Sequence, residues 1–265
     1  MFTPDTGPAF AEAFRTIIDK AIVDKRSSQP KRSYLGASMW GDPCERKLGY
    51  IYHQTPEDEG TGFPAHVLRI FDMGHDGEAR MAEYLRLAGF DLHTNKPDGG
   101  QYGFEACDGK LKGHIDGVLL AGPEIEGLAW PALWENKELN DKSWNDTVKK
   151  GVKTSKPLYY VQAQVYMAYL ELPNTLFTTR NRNTGEVHAE LIQFDGRSAQ
   201  EASDKAVRVV SSIAPEELSK CTADEADSRC KFCNFKARCW SKPAQANNTT
   251  TPKTDKPSWL RKNQK

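Results

Sequence analysis

The chain has 265 residues, and its 36 basic and 36 acidic side chains give a formal net charge of zero. A content of 38% hydrophobic and 27% charged residues is typical of a folded domain and excludes a fully disordered chain, a collagen-like fibre and a coiled coil. No apolar run approaches the roughly 18 residues of a membrane span, and the N-terminus lacks a signal-peptide pattern. We therefore expect a cytoplasmic protein without a membrane partner, in which any nucleic-acid binding depends on local charge.

The first half of the chain is predicted to contain two helices followed by strands. Apolar residues recur about every 3.6 positions over residues 8–25, which indicates an amphipathic helix before a polar link at 26–33. Residues 64–90 predict a second helix that ends at Gly89. Short apolar or alternating segments then predict strands at 101–107, 111–121 and 131–139.

The second half of the chain is predicted to return to helices. A link at 149–156 precedes Pro157, which is a favourable first residue for a helix. Residues 175–181 and 186–194 predict a pair of strands, and 197–213 predict a further helix. This order of elements predicts an α/β fold with a mixed central sheet flanked by helices.

Three of the six cysteines, Cys230, Cys233 and Cys239, lie within ten residues. A two-residue gap lets two thiolates bind one metal site, and a third cysteine can close the same turn. The fourth ligand of such a site would come from Cys44 or Cys221. The spacing does not separate zinc from an iron–sulfur cluster, because both accept four thiolates, and reduced core cysteines are the non-metal alternative.

Two neighbouring predicted strands carry carboxylates among apolar residues. Asp116 follows Ile115 in one strand, and Glu135 and Lys137 share a face of the next, since alternate side chains point the same way. Buried carboxylates on adjacent strands repel unless a divalent cation lies between them, and hard oxygen ligands suit Mg²⁺ or Mn²⁺. Lys137 could then orient an attacking water or stabilise charge on phosphorus. A Glu135–Lys137 surface pair with Asp116 in a turn is the alternative.

The same segments, GHID and WENK, resemble the signature of the PD-(D/E)xK nucleases. Gln162 and Tyr166, in QAQVY, match the QxxxY motif of the RecB-like branch of that family and lie one above the other on a helix face. The resemblance implies a restriction-endonuclease-like core and hydrolysis of DNA that depends on Mg²⁺ or Mn²⁺. It assigns the catalytic residues as Asp116, Glu135, Lys137, Gln162 and Tyr166.

The resemblance also suggests a third metal ligand on the predicted helix over 64–90. Relatives carry His or Glu four residues after a glycine, and Gly74 places Glu78 at that position. His75 lies one helical turn earlier on the same face, as a second ligand or a DNA contact. We expect Glu78 to be the ligand, and we expect His114 to pack beside the site rather than bind metal.

One cysteine before the nuclease core and three after it resemble the iron–sulfur group of RecB-like nucleases, which includes AddB-type repair subunits and CRISPR-associated nucleases. The resemblance implies a 4Fe–4S cluster that joins the N- and C-terminal parts of the domain, with zinc as the alternative. The ligands carried over by position are Cys44, Cys230, Cys233 and Cys239. Cys107 and Cys221 match no ligand position and are expected to be ordinary thiols.

The resemblance covers about residues 35–240, which we predict to be the nuclease domain. Residues 1–34 are expected to form an N-terminal helix and link, and 241–265 a disordered basic tail. Lysines beside the predicted active-site helix are the expected DNA contacts, namely Lys149, Lys150 and Lys153.

The stand-alone format favours an exonuclease over an endonuclease. We expect it to act in recombination, repair or phage DNA processing, in the host cytoplasm if it is encoded by a phage. Its partners would be DNA and a recombination or single-strand-binding protein. A non-catalytic DNA-binding scaffold and a zinc-stabilised nucleic-acid-binding protein are the competing hypotheses. The sequence does not encode the oligomeric state.

Overall fold

The structure is a computed structural model that describes residues 7–241. Its first elements are α1 (Pro8–Ser27), β1 (Leu35–Gly36), α2 (Glu45–Tyr52) and α3 (Ala65–Leu87). Both helices predicted in this part, over 8–25 and 64–90, are confirmed. Gly89 follows α3 with a φ of +88°, a left-handed conformation that glycine adopts readily after a helix.

The middle of the chain supplies five strands. They are β2 (Asp91–His93), β3 (Gly103–Ala106), β4 (Leu111–His114), β5 (Gly117–Ala121) and β6 (Ala132–Leu139). The prediction of one strand over 111–121 is wrong, because β4 and β5 belong to different sheets. The chain passes from one sheet to the other at Ile115 and Asp116, so Asp116 stands at the junction between them.

The rest of the chain alternates helices with a strand pair. Its elements are α4 (Asp141–Lys150), α5 (Val152–Ser155), α6 (Pro157–Leu170), β7 (Asn174–Asn181), β8 (Val187–Gln193), α7 (Gly196–Ser211), α8 (Ser228–Lys231) and α9 (Lys236–Trp240). The helix starting at Pro157, the strand pair and the helix near 197–213 are confirmed. The link predicted at 149–156 is wrong, because α4 and α5 fill most of it. Asn140 caps α4 by accepting a 2.8 Å hydrogen bond from the Ser143 amide.

Two mixed sheets replace the single central sheet that we predicted. The three-stranded sheet has the order β1–β4–β3, and the five-stranded sheet has the order β2–β5–β6–β7–β8. Strands β6 and β7 are parallel and are joined through α4, α5 and α6, whereas β5 and β6 are antiparallel neighbours. The predicted α/β class, with helices around mixed sheets, is therefore confirmed. The structure has two sheets where one was predicted.

Helix α6 lies in the main core, against the three-stranded sheet, β6, β7 and α7. Its central residues, Gln162 to Met167, are all buried, because it has neighbours on several sides. A second core lies under α3, where Met81 and Leu85 pack with Leu119 and Trp134. Strand β6 contributes Leu133 to the first core and Trp134 to the second. The polar residues that follow on β6 therefore lie between two packed layers.

The predicted division into three parts is only partly within the described residues. Residues 1–6 of the N-terminal part and 242–265 of the expected basic tail lie outside them. Within residues 7–241, no helix is both long enough and apolar enough to cross a membrane.

Candidate active site and cysteine cavity

Asp116 and Glu135 are brought together by the antiparallel pairing of β5 with β6. Gly117 pairs with Trp134, so Asp116, directly before β5, and Glu135, on β6, both lie next to this pair. The Asp116 Oδ2 accepts a 2.8 Å hydrogen bond from the Asn136 amide, which fixes the carboxylate at the junction of the sheets. Glu135 is only 1% exposed. The structure brings the two carboxylates together, but Glu135 lies on β6 whereas Asp116 lies in the bend directly before β5 and not on a strand as predicted.

Lys137 lies between these two carboxylates. Its Nζ is 2.9 Å from the Glu135 Oε2 and 3.6 Å from the Asp116 Oδ2. Burial alone would lower the pKa of Lys137, but the Asp116 and Glu135 carboxylates outweigh it and raise that pKa. Lys137 is therefore a cation that compensates the buried Glu135 carboxylate and the partly exposed Asp116 carboxylate. The alternative of a Glu135–Lys137 surface pair is wrong because Glu135 is buried, but its placement of Asp116 in a turn agrees with the bend between β4 and β5.

Glu78 faces the same site from α3, whereas His75 is exposed. Burial, followed by the nearby Asp116 carboxylate, raises the pKa of Glu78 to about 7, while Lys137 opposes the shift. Glu78 is therefore close enough to Asp116 and Lys137 for their charges to affect its pKa. Of the two residues that the sequence left open, the structure brings Glu78 to the carboxylates. His114 instead lies edge-on to Tyr34, with ring centroids 6.4 Å apart.

Gln162 and Tyr166 join the site from the buried α6. The Gln162 Nε2 is 3.3 Å from the Glu135 Oε2 and 3.2 Å from the Tyr166 hydroxyl oxygen, and it donates to both. The QxxxY pair therefore orients Glu135 directly, and it reaches Lys137 only through that carboxylate. Tyr159 lies on the other side, with the Lys137 Nζ 5.5 Å from its ring centroid.

The donor set fits a hard divalent cation. The Glu135 Oε1 is buried and has no hydrogen-bond partner among residues 7–241, although an unpaired buried carboxylate oxygen is costly. Three carboxylates, from Asp116, Glu135 and Glu78, supply the oxygen ligands that Mg²⁺ or Mn²⁺ prefers. A cation bound there would give the orphaned oxygen a partner and relieve the repulsion between the acids.

The distance between α3 and β6 is set at Gly77. A Cβ on this residue would lie 2.3 Å from the Glu138 side chain, so any other residue here would force Glu138 to shift. Glu138 is itself held by Arg180, whose Nε donates to it over 3.1 Å. The sequence analysis missed Glu138, although a third charged side chain in an otherwise apolar strand was a usable signal.

Replacing Gly77 with alanine is expected to push α3 away from β6 and move Glu78 from Asp116. Overpacking of this kind costs roughly 1–3 kcal/mol. We expect a lower melting temperature together with weaker Mn²⁺ binding, measured by thermal unfolding and isothermal titration. Gly74→Ala is the matched control, because no atom lies within 4 Å of a Cβ at that position. Equal Mn²⁺ affinity in both variants would show that Gly77 does not position Glu78.

The buried carboxylate of Glu135 predicts a pH-dependent stability when no divalent cation is added. Burial, followed by the Asp116 carboxylate, raises the pKa of Glu135 to about 8. Glutamate in an unfolded chain titrates near about 4.3, so the folded state keeps a proton that the unfolded state has released. Stability should therefore fall as the pH rises between these two values.

Glu135→Gln should remove this loss because the amide cannot ionise. We expect the variant to match the wild type near about pH 5 and to exceed it at about pH 9, by on the order of 1–3 kcal/mol. Urea unfolding across this pH range measures the effect. Stability curves that stay parallel would contradict the raised pKa.

The three lysines predicted to contact DNA lie around α4 and α5 but differ in their partners. Lys150 pairs with Asp146 at 2.7 Å, and Lys153 with Asp195 at 3.4 Å. Lys149 lines an open surface depression next to α4. The lysines around this depression are Lys142, Lys149 and Lys156. DNA contact by Lys149, Lys150 and Lys153 remains a prediction.

The cysteines predicted as cluster ligands surround one cavity of about 180 Å³ between α2 and the C-terminal helices. Its lining contains Cys44, Cys221, Cys230, Cys233 and Cys239. Four basic residues, Lys47, Lys220, Arg229 and Lys236, also line it. Five thiols with positive charges around them suit a thiolate-bound metal or cluster. Cys107 is exposed and takes no part, whereas Cys221, which we expected to be an ordinary thiol, is at the cavity.

Neither the three carboxylates nor the cavity cysteines form a compact set of metal ligands in the described residues. Among residues 7–241, no three His, Cys, Asp or Glu side chains lie close enough together to hold one metal ion as they stand. At the carboxylates, the Lys137 Nζ lies between Glu135 and Asp116.

Comparison with protein-family models finds no match, and no curated protein matches the chain. Among solved structures, an alkaline exonuclease (LHK-Exo) from Laribacter hongkongensis is 16% identical, covers 68% of this chain and 87% of its own, and has a TM-score of 0.48. LHK-Exo in complex with dAMP is 18% identical, with coverages of 67% and 86% and a TM-score of 0.47. SSO0001 is 14% identical, with coverages of 87% and 98% and a TM-score of 0.49. Likeness at this level does not assign a function.

Proposed function

We propose that the protein is a metal-dependent deoxyribonuclease with a PD-(D/E)xK, restriction-endonuclease-like core. One observation carries the proposal: Lys137 lies between the carboxylates of Glu135 and Asp116, with its Nζ 2.9 Å from the first and 3.6 Å from the second. Glu78 faces them from α3, and the Glu135 Oε1 has no partner within the described residues. An acid–lysine–acid group with one fully buried acid and an unused ligand oxygen is costly for stability, but it is useful for phosphoryl chemistry.

Each residue then has a defined part in phosphodiester hydrolysis. Asp116, Glu135 and Glu78 would hold Mg²⁺ or Mn²⁺, which supplies Lewis acidity to the phosphoryl oxygen. Lys137 carries its positive charge beside the position of the scissile phosphate. It would donate to a phosphate oxygen as charge builds up, or orient the attacking water in line with the leaving oxygen. The products are a phosphate monoester end and a free hydroxyl.

Gln162 and Tyr166 support this chemistry by holding Glu135. Because Gln162 donates to the Glu135 Oε2 and to the Tyr166 hydroxyl oxygen, it keeps one carboxylate oxygen occupied. The other oxygen, Oε1, is left for the cation. Lys149, Lys150 and Lys153 lie on the adjacent helices and would bind the phosphates of the substrate strand.

We further propose that the cysteine cavity holds a 4Fe–4S cluster, with Cys44, Cys230, Cys233 and Cys239 as ligands. The shared cavity, the four cations around it and the spacing of the last three cysteines support this proposal. The cluster would tie the start of α2 to α8 and α9. Zinc is the competing occupant, since it also accepts four thiolates.

An exonuclease is proposed in preference to an endonuclease, with a role in recombination, repair or phage DNA processing. This part depends on the RecB-like motifs. A recombination or single-strand-binding protein is the corresponding partner.

A direct test uses linear DNA labelled at the 5′ or the 3′ end and a covalently closed circle, each with Mg²⁺ or Mn²⁺. We expect release of short products from the linear DNA, no cut in the circle, and no reaction with a chelator. Cleavage of the circle would show an endonuclease. Absence of any cleavage, with DNA binding retained, would favour the non-catalytic scaffold and overturn the proposed activity.

A further inference from the structure

The cavity between α2 and the C-terminal helices holds one cysteine more than a four-thiolate site needs. Cys221 lines it together with the four residues proposed as ligands. It lies in the loop that precedes α8, nine residues before Cys230 in the sequence. The extra thiol is not explained by the proposed cluster.

Backbone contacts hold the loop of Cys221 against the start of α2, where Cys44 lies. The Arg46 amide donates to the Ser219 carbonyl oxygen over 3.1 Å. The Arg46 side chain donates to the carbonyl oxygens of Leu218, over 2.9 Å, and Glu216, over 2.7 Å. Cys44 lies two residues before Arg46, and Cys221 lies two residues after Ser219, so these contacts hold the two cysteines in neighbouring segments.

These contacts bring both cysteines to the same cavity. Cys44, Cys221 and Cys230 all line it. Arg229 lines it as well and is paired with Asp227 at 2.7 Å. Cys221 therefore shares the cavity with Cys44 and the other proposed ligands.

We propose that Cys221 is a reserve ligand that can replace Cys44 at the metal–thiolate site. This inference rests on the proposed cluster. In the exchange, the bond from iron to the Cys44 sulfur breaks and a bond to the Cys221 sulfur forms. The proton of the Cys221 thiol passes to the Cys44 thiolate. No electron is transferred, so the exchange needs no oxidant or reductant.

The first experiment compares anaerobically purified Cys44→Ala, Cys221→Ala and the double variant by iron and sulfide content. We expect both single variants to keep the cluster and the double variant to lose it. Iodoacetamide followed by mass spectrometry then reports the state of Cys221. The thiol should be alkylated in the wild type and protected in Cys44→Ala. Loss of iron from Cys44→Ala to the same extent as from the double variant would overturn the exchange.

A second measurement does not require a Cys44 variant to fold. Iron loss to a chelator is followed in the wild type, in Cys221→Ala and in Cys107→Ala as a control on an exposed thiol. We expect faster loss only in Cys221→Ala, because no second thiol recaptures iron when Cys44 releases it. Loss at the wild-type rate would contradict the proposal.

The two proposals fail in distinguishable ways. A wild-type protein with stoichiometric zinc and no iron would refute the cluster, and zinc content in the same variants would then test the exchange. A wild-type protein without any bound metal would overturn both. DNA cleavage is measured in a separate assay, and its outcome tests neither the cluster nor the ligand exchange.

Discussion

Lys137→Met is expected to reduce DNA cleavage by roughly 10²–10³-fold, the effect of removing one charge-stabilising group from an active site. It should also destabilise the fold when Glu135 is ionised, because Lys137 then compensates the buried Glu135 carboxylate together with the partly exposed Asp116 carboxylate. Removing one partner of a buried ion pair costs roughly 3–5 kcal/mol. Cleavage of end-labelled DNA and urea unfolding without divalent cations measure the two effects.

The double variant Glu135→Gln with Lys137→Met separates these effects. Removing the acid as well as the lysine should recover much of the lost stability, since less uncompensated charge remains buried. Cleavage should stay low in this variant. Lys20→Met is the matched control, because Lys20 is an exposed lysine paired with Asp24 on α1. Cleavage by Lys137→Met close to the wild-type rate would refute the catalytic role of this lysine.

Cys233→Ala is expected to lose the cluster and to loosen the packing between α2 and the C-terminal helices. The segment of Cys221 is held next to that of Cys44, so Cys221 should not compensate for the missing thiolate of Cys233. Losing a structural crosslink of this kind costs on the order of 2–5 kcal/mol. Iron content, thermal unfolding and hydrogen exchange over α8 and α9 measure the consequences.

Contacts that do not involve the cysteines limit how far this part should unfold. Asp58 accepts hydrogen bonds from the amides of Ala237, within α9, and Arg238, and Tyr50 stacks on Phe235 at 5.1 Å. We therefore expect faster exchange in α8 and α9 without loss of the sheets. Cys107→Ala should leave iron content and stability unchanged, because this thiol is exposed and distant from the cavity lining. Wild-type stability in Cys233→Ala would show that the cluster is not structural.

Several features of the site follow from local spacing. Glu135 and Lys137 share a strand face because side chains alternate, and Gln162 meets Tyr166 because residues four apart stack on a helix. The antiparallel neighbours β5 and β6 follow from a short connection through glycine and proline. The meeting of Asp116 with Glu135 was accordingly predictable from the sequence.

Other features depend on contacts between distant parts of the chain. The break between β4 and β5 was missed because the apolar pattern is continuous over 111–121, although its two halves enter different sheets. The choice of Glu78 over His75 depends on the rotation of α3 relative to β6, which Gly77 and Glu138 set by close packing. The spacing of apolar residues along α3 does not by itself specify this rotation.

The equal numbers of acidic and basic residues, 36 of each, do not indicate how the charges are arranged around the site. By itself, the sequence determined the α/β class, the order of most elements and the spacing of the acid, lysine and cysteine motifs, because these depend on neighbours along the chain. Only the tertiary structure decided that Lys137 lies between Glu135 and Asp116, that Glu78 faces them and that Cys221 lines the same cavity as Cys44. These contacts join residues far apart in sequence, and packing between elements determines which of them meet.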